Sequence, residues 1–151
     1  MGSWGPGSFD NDWALDWVAE LCESKDALPV RVALQHVVAH GGAKYSSPSI
    51  LERLRGRSRH TDWLTARVAS RALAAAEVVS AWVGHAPAKL PDGIVAWLQQ
   101  HASSFQPDLV TLAREAAIIV KTSSELKDIW EEGDATEWRN GIEDLERRLQ
   151  N

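Results

Sequence analysis

A chain of 151 residues is long enough for one domain, and a domain of this size buries roughly 70% of the surface of its unfolded chain. Hydrophobic residues make up 44% of the chain and charged residues 25%, which excludes wholesale disorder. The net charge of −5 is unevenly spread, because residues 44–71 are strongly basic while the flanking parts are acidic.

No apolar run approaches the ~18 residues of a membrane span, and no secretory signal pattern opens the chain. The lone Cys22 cannot form an internal disulfide, which fits a reducing compartment. We therefore expect a cytoplasmic protein without membrane contact, folded as a single helical domain over residues 1–151.

The opening stretch, residues 1–17, combines glycines, a proline, large aromatic side chains and aspartates. Glycine and proline favour a tight turn, so Trp4 and Phe9 are free to anchor the loop in the body of the domain. Asp10 or Asn11 can cap the helix that follows. The sequence thus predicts an ordered Gly/Trp-rich N-terminal loop.

Every later segment has helical periodicity, and none alternates with a period of two. The sequence therefore predicts an all-α fold, a compact bundle of about seven helices. The predicted helices cover residues 11–23, 28–40, 48–55, 62–83 and 92–102, a segment that opens at Pro107, a short segment from Ser123 or Ser124 to Glu132, and a last segment from Asp134 onward.

Five predicted helices carry apolar stripes. The stripe of the first helix is Ala14, Trp17, Val18 and Leu21, and that of the helix opening at Pro107 is Leu109, Leu112, Ala113, Ala116, Ile119 and Val120. The alanine-rich helix 62–83 permits close approach of its neighbours, so we expect it at the centre of the bundle. Its predicted inward residues are Leu73, Ala76, Val79 and Val83. The stripe of helix 28–40 is Val30, Ala33, Leu34, Val37 and Val38. The stripe of the last helix is Trp138, Ile142, Leu145 and Leu149.

The opening pattern, Met-Gly-x-Trp-Gly-x-Gly-x-Phe-Asp-Asn-Asp-x-Ala-x-Asp-Trp, resembles a family of small bacterial proteins of unknown function, domain-of-unknown-function family 4259. The likeness extends to residues 72–79, to residues 124–132 and to Trp138. In this resemblance Asp10, Asn11, Asp12 and Asp16 fall on the family pattern, whereas Trp13 replaces a residue that is usually polar. The family implies no activity, so function has to be argued from the residues.

Three carboxylates, Asp12, Asp16 and Glu20, lie one turn apart on one face of the first helix. With a second acidic helix such as Asp128, Glu131 and Glu132, they could hold Mg²⁺ in a phosphohydrolase. Charged stripes are also what solvent-exposed helices normally show, and we favour that interpretation.

His36 and His40 have the spacing of two metal ligands on a helix, but no third ligand accompanies them. No catalytic triad, phosphate loop or cysteine cluster is present either. We therefore predict no metal, no cofactor and no catalytic residue.

A cluster of arginines, Arg53, Arg55, Arg57 and Arg59, gives the basic segment its charge. Such a cluster can contact phosphates or an acidic protein, or can remain a solvated loop. The acidic remainder of the chain argues against nucleic acid, because it repels a polyanion. Whether residues 41–61 are ordered stays open at this point.

Glu77 lies within the alanine-rich helix, so its carboxylate should be partly buried. A buried acid needs a partner, and Arg31 or an arginine of the basic segment could supply it. A structural ion pair and a general base of raised pKa are the two interpretations. Among the eight tryptophans, Trp13 lies one residue off the apolar stripe of the first helix, which contains Ala14, so we expect it to be exposed and available to a partner.

We therefore expect a small cytosolic protein-binding module, of which an immunity or antitoxin protein is one kind. Its candidate binding residues are Trp13, Asp10, Asp12, Asp16, Arg53, Arg55, Arg57 and Arg59. A small metal-dependent hydrolase of a phosphorylated or nucleotide substrate and a structural homo-oligomer are the alternatives. The identity of a protein partner is not encoded in any of these patterns.

Overall fold

The structure is a computed structural model that describes residues 5–40 and 64–150. Within these ranges the chain forms seven α-helices and no β-strand, which confirms the all-α prediction. The helices are α1 Asp12–Glu23, α2 Leu28–His40, α3 Ala66–Trp82, α4 Asp92–Gln100, α5 Asp108–Thr122, α6 Glu125–Glu131 and α7 Thr136–Gln150, with a 3₁₀ turn at Ala102–Ser104.

The helix boundaries follow local capping chemistry. Asn11 begins α1, since its side-chain oxygen accepts a hydrogen bond from Ala14 N at 2.8 Å. Thr65 caps α3 in the same way, so the helix begins at Ala66 and not at residue 62. The predicted helix 92–102 ends earlier, at Gln100, and a 3₁₀ turn follows. The predicted helix 48–55 lies outside the described residues.

Helix α3 is the centre of the bundle, as its alanine content predicts. It packs against α1, α2, α5, α6 and α7. Buried residues lie on every side of it, including Ala74, Ala75 and Val78, which the single predicted stripe omits. Val83 was predicted to face inward but is the partly exposed C-cap of the helix. Small side chains let five helices approach one axis.

The last helix shows the predicted stripe, because Trp138, Ile142, Leu145 and Leu149 are all buried. Phe9 and Trp13 pack against the core and are partly buried, whereas we expected Trp13 to be exposed. A tryptophan side chain is long enough to reach the core from a position beside the apolar stripe. Trp4 lies outside the described residues.

Among the described helices, none combines the length and apolar character that a membrane span requires.

Candidate functional site

A wide cleft lies between α1, α2 and α3, with a volume of about 910 Å³. Buried Trp17 and Ala33 contribute to its wall together with partly buried Val68. Leu28 and Val32 of α2 line it as well, and their exposed fractions are 59% and 51%. We call this feature the α1–α2–α3 cleft.

The start of α2 explains why two large apolar residues are exposed there. Asp26 Oδ1 accepts a hydrogen bond from Leu28 N at 2.9 Å, which places Leu28 at the first position of the helix. Val32 follows four residues later and therefore lies on the same face. The buried stripe of α2 occupies a different face, so these two residues are left at the surface.

The charged side chains of the cleft are only partly compensated. Arg71 of α3 forms an ion pair with Glu20 of α1 across the cleft. Arg67, one turn earlier on α3, is exposed and forms no hydrogen bond or ion pair with any residue that the structure describes. Asp26 and the exposed His36 also line the cleft. Arg67 is thus a positive charge beside an apolar surface.

A second cluster surrounds Glu77, which is 4% exposed. Arg148 Nη1 donates to Glu77 Oε2 at 2.8 Å, and Nη2 donates to Oε1 at 3.3 Å. The hydroxyl of Ser8 also donates to Oε1, at 3.0 Å. Both carboxylate oxygens are therefore engaged by protein donors, which is what a buried acid requires.

Arg148 is fully engaged as well. Its Nη1 donates to Ser80 Oγ at 3.0 Å and to the His85 carbonyl at 3.2 Å, and its Nε donates to Asp144 Oδ2 at 2.8 Å. Burial lowers the pKa of Arg148, but the hydrogen bonds and charges of Glu77 and Asp144 outweigh this effect and raise the pKa. The arrangement holds the N-terminal loop, α3 and α7 together.

The partner of Glu77 differs from the predicted ones. Arg31 forms two hydrogen bonds with Asp108, at 2.8 and 2.9 Å, and also contacts Gln106. That pair lowers the pKa of the Asp108 carboxyl through the hydrogen bond from Arg31. Arg148 reaches Glu77 because α7 packs on α3, a contact that no local sequence pattern reveals.

The predicted acidic residues are not gathered in one place. Asp10 closes a turn, since its Oδ2 accepts from Gly7 N at 3.0 Å, and it lies beside Glu77 in a small cleft of about 260 Å³. Asp12 and Asp16 are exposed on α1. Within residues 5–40 and 64–150, no three His, Cys, Asp or Glu side chains are placed to hold a metal ion.

The remaining predicted residues have different locations. His36 is exposed and lines the α1–α2–α3 cleft, whereas Glu131 forms ion pairs with Lys127 and Arg139 away from both sites. The side chain of His40 and the arginines Arg53, Arg55, Arg57 and Arg59 lie outside the described residues. The sequence-based search missed Leu28 and Val32. The available signal was that α2 carries apolar residues on a second face, beyond its buried stripe.

The structure is thus that of a small all-helical protein with two notable features. One is an apolar cleft lined by charged side chains, and the other is the buried Glu77–Arg148 ion pair. A family model described as a domain of unknown function (DUF4259) matches residues 2–49 and 44–141. The chain belongs to this family, which confirms the resemblance. No curated protein and no solved structure matches the chain.

Proposed function

We propose that the protein is a protein-binding module and that the α1–α2–α3 cleft receives an apolar segment of another protein. The observation that carries this proposal is the exposure of Leu28 and Val32, 59% and 51%, beside a concave apolar surface. Single exposed apolar residues are common, but a cluster that continues into a cleft is typical of an interaction site.

The shape of the cleft favours a helical segment. Its volume of about 910 Å³ is near the upper end of the ~300–1,000 Å³ range of ligand pockets, and three helices form its walls. An amphipathic helix places apolar side chains at intervals of three and four residues along one face, which suits a groove between helices. Buried Trp17 is a rigid part of the cleft wall, and Leu28 and Val32 supply the apolar surface that such anchors can reach.

Neutralisation of a toxin, as by an immunity protein, is a special case of this function in which the bound segment belongs to a toxic enzyme. A structural homo-oligomer is the case in which the bound segment belongs to a second copy of the chain. Both cases use the same surface, so one experiment distinguishes them by the identity of the bound chain.

The proposal is tested with a photo-crosslinking amino acid placed at Val32 in the cells that naturally produce the protein. The control position is Ile118 of α5, which is 41% exposed and is not part of the cleft. We expect a defined adduct from position 32 and none from position 118. The adduct should disappear when Leu28 is also replaced by Asp, because a carboxylate opposes burial of an apolar segment.

Mass spectrometry of the adduct identifies the bound chain. A heterologous protein supports the binding module, and a toxic enzyme supports the immunity case. A second copy of this chain supports the homo-oligomer instead. Equal crosslinking from positions 32 and 118, or an adduct that survives the Leu28→Asp substitution, would contradict the proposed function.

A further inference from the structure

The two arginines of the α1–α2–α3 cleft differ in their partners. On the α1 side of α3, Arg71 is paired with Glu20, so that pair adds little net charge. Arg67 also lines the cleft but forms no ion pair with any described residue. At the start of α2, the Asp26 carboxylate accepts a hydrogen bond from Leu28 N and keeps its negative charge, but it forms no ion pair with Arg67. Among the described residues, Arg67 is therefore a cation of the cleft without an ion-pair partner.

Arg67 lies near the N-terminus of α3, where a positive charge is unfavourable. It is the second residue of the helix, and the first turn of α3 contains no acidic side chain. The N-terminal end of a helix carries a partial positive charge, which favours acidic side chains and disfavours basic ones. The α3 N-terminus does receive one carboxylate, because Ala66 N donates to Glu125 Oε1 at 2.8 Å. That carboxylate is bound to the backbone and forms no ion pair with Arg67.

We infer that the helix received by the cleft carries an acidic side chain, Asp or Glu, that pairs with Arg67. This inference rests on the proposed function, since it concerns the partner of the same cleft. An arginine guanidinium binds a carboxylate through two parallel hydrogen bonds, and such pairs strengthen when an apolar surface excludes water. Leu28 and Val32 supply the apolar surface, and Arg67 supplies the charge that selects and orients the segment.

The experiment uses a phage-displayed library of 18-residue amphipathic helices with a constant apolar face and randomised polar positions. The library is selected on the wild-type protein and on three variants. Arg67→Glu reverses the charge and places an acidic residue where the helix dipole favours one, so the fold should be retained. Lys89→Glu is the matched control, because Lys89 is also exposed and unpaired among the described residues but lies in the small Glu77 cleft.

The third variant, Leu28→Asp with Val32→Asp, blocks the apolar surface. We expect acidic residues to be enriched at one polar position on the wild type and on Lys89→Glu, and basic residues at that position on Arg67→Glu. An acidic peptide from the wild-type selection should bind Arg67→Glu about tenfold or more weakly in fluorescence anisotropy, since like charges oppose one another in the complex. Circular dichroism confirms that each variant is helical.

The outcomes separate the two proposals. Peptides that depend on Leu28 and Val32 but show the same charge preference on the wild type and on Arg67→Glu would overturn the acidic partner and leave the binding function intact. A selection that enriches the same peptides on the wild type and on the blocked variant would overturn the binding function itself. A preference for acidic residues on the wild type that changes to basic residues on Arg67→Glu supports both proposals.

Discussion

Arg148 of α7 forms two hydrogen bonds with the buried carboxylate of Glu77 in the middle of α3, 71 residues earlier in the chain. The pair joins the central helix to the last one, and Ser8 adds the N-terminal loop to the same carboxylate. Loss of one member of a buried pair costs more than the pair contributes, because the remaining charge has no partner. The pair is therefore a sensitive point of the fold.

Replacement of Arg148 by Met should lower the free energy of unfolding by about 3–5 kcal/mol, because it leaves Glu77 buried with Ser8 as its remaining partner. The control is Arg147→Met, at a side chain that is 68% exposed and has one weak ion pair. That substitution should cost less than about 1 kcal/mol. Urea denaturation followed by circular dichroism measures both values.

The double variant Glu77→Leu with Arg148→Met tests the reason for this loss. It removes both charges and retains apolar volume, so it should recover part of the stability lost in Arg148→Met. Equal losses for the Arg147 and Arg148 variants, or a double variant that is no more stable than Arg148→Met, would show that Glu77 is not the cause.

Asp144 should make stability depend on pH. The hydrogen bond from Arg148 lowers the pKa of the Asp144 carboxyl below its ordinary value of 3.8, and partial burial opposes this effect. A carboxyl with a lowered pKa in the folded state stabilises the protein above the pKa of the unfolded state. This contribution is lost as the pH falls through the folded-state pKa.

The difference in unfolding free energy between the wild type and Asp144→Asn should therefore be constant above about pH 5 and shrink as the pH falls below the ordinary carboxyl pKa of 3.8. Urea denaturation from pH 7 down to the onset of acid unfolding measures this difference. In an Arg148→Met background, most of the dependence should disappear, because the main hydrogen bond is absent. If the difference in unfolding free energy grew on acidification, the proposed effect of the Asp144 carboxylate would be contradicted.

The starts of α3 and α6 cap one another, and Glu125 makes the connection. Its Oε1 accepts from Ala66 N at 2.8 Å, and its own backbone N donates to the Leu64 carbonyl at 2.9 Å. Glu125→Ala leaves Ala66 N without this acceptor and should cost about 1–2 kcal/mol, whereas Glu125→Gln keeps an acceptor and should cost less. Thermal unfolding should show a decrease of about 2–4 °C per kcal/mol. Equal melting temperatures for the Ala and Gln variants would argue against the cap.

Local patterns predicted most of the described fold. The bounds of α2 and the buried stripe of α7 follow from apolar periodicity and capping residues, which act over a few neighbouring positions. The burial of Glu77 is likewise expected from its alanine neighbours, which leave little room for water around α3. Each of these features is determined by residues within the same helix.

The partners across the fold were not predictable in this way. Arg148 is one of many arginines, and its contact with Glu77 depends on how α7 crosses α3. Leu28 and Val32 resemble core residues in the sequence, and their exposure depends on which helices cover α2. Trp13 was predicted to be exposed but is partly buried, because its long side chain reaches the core.

Gly93, the second residue of α4, is in close contact with Cys22 of α1. A Cβ atom at position 93 would lie 2.8 Å from Cys22 Sγ, closer than such atoms approach without a shift. Alanine is otherwise favoured over glycine in a helix by up to about 1 kcal/mol. Helix propensity and packing between α1 and α4 therefore act in opposite directions at this position.

We expect Gly93→Ala alone to be neutral or destabilising, and Gly93→Ala in a Cys22→Ala background to be stabilising relative to Cys22→Ala. The coupling free energy of the double-mutant cycle should be about 0.5 kcal/mol or more, as for side chains in contact. Urea denaturation of the four proteins measures it. Effects that add within about 0.3 kcal/mol would show that the Cys22 thiol rotates away freely, and that Gly93 is not required for the packing of α4 on α1.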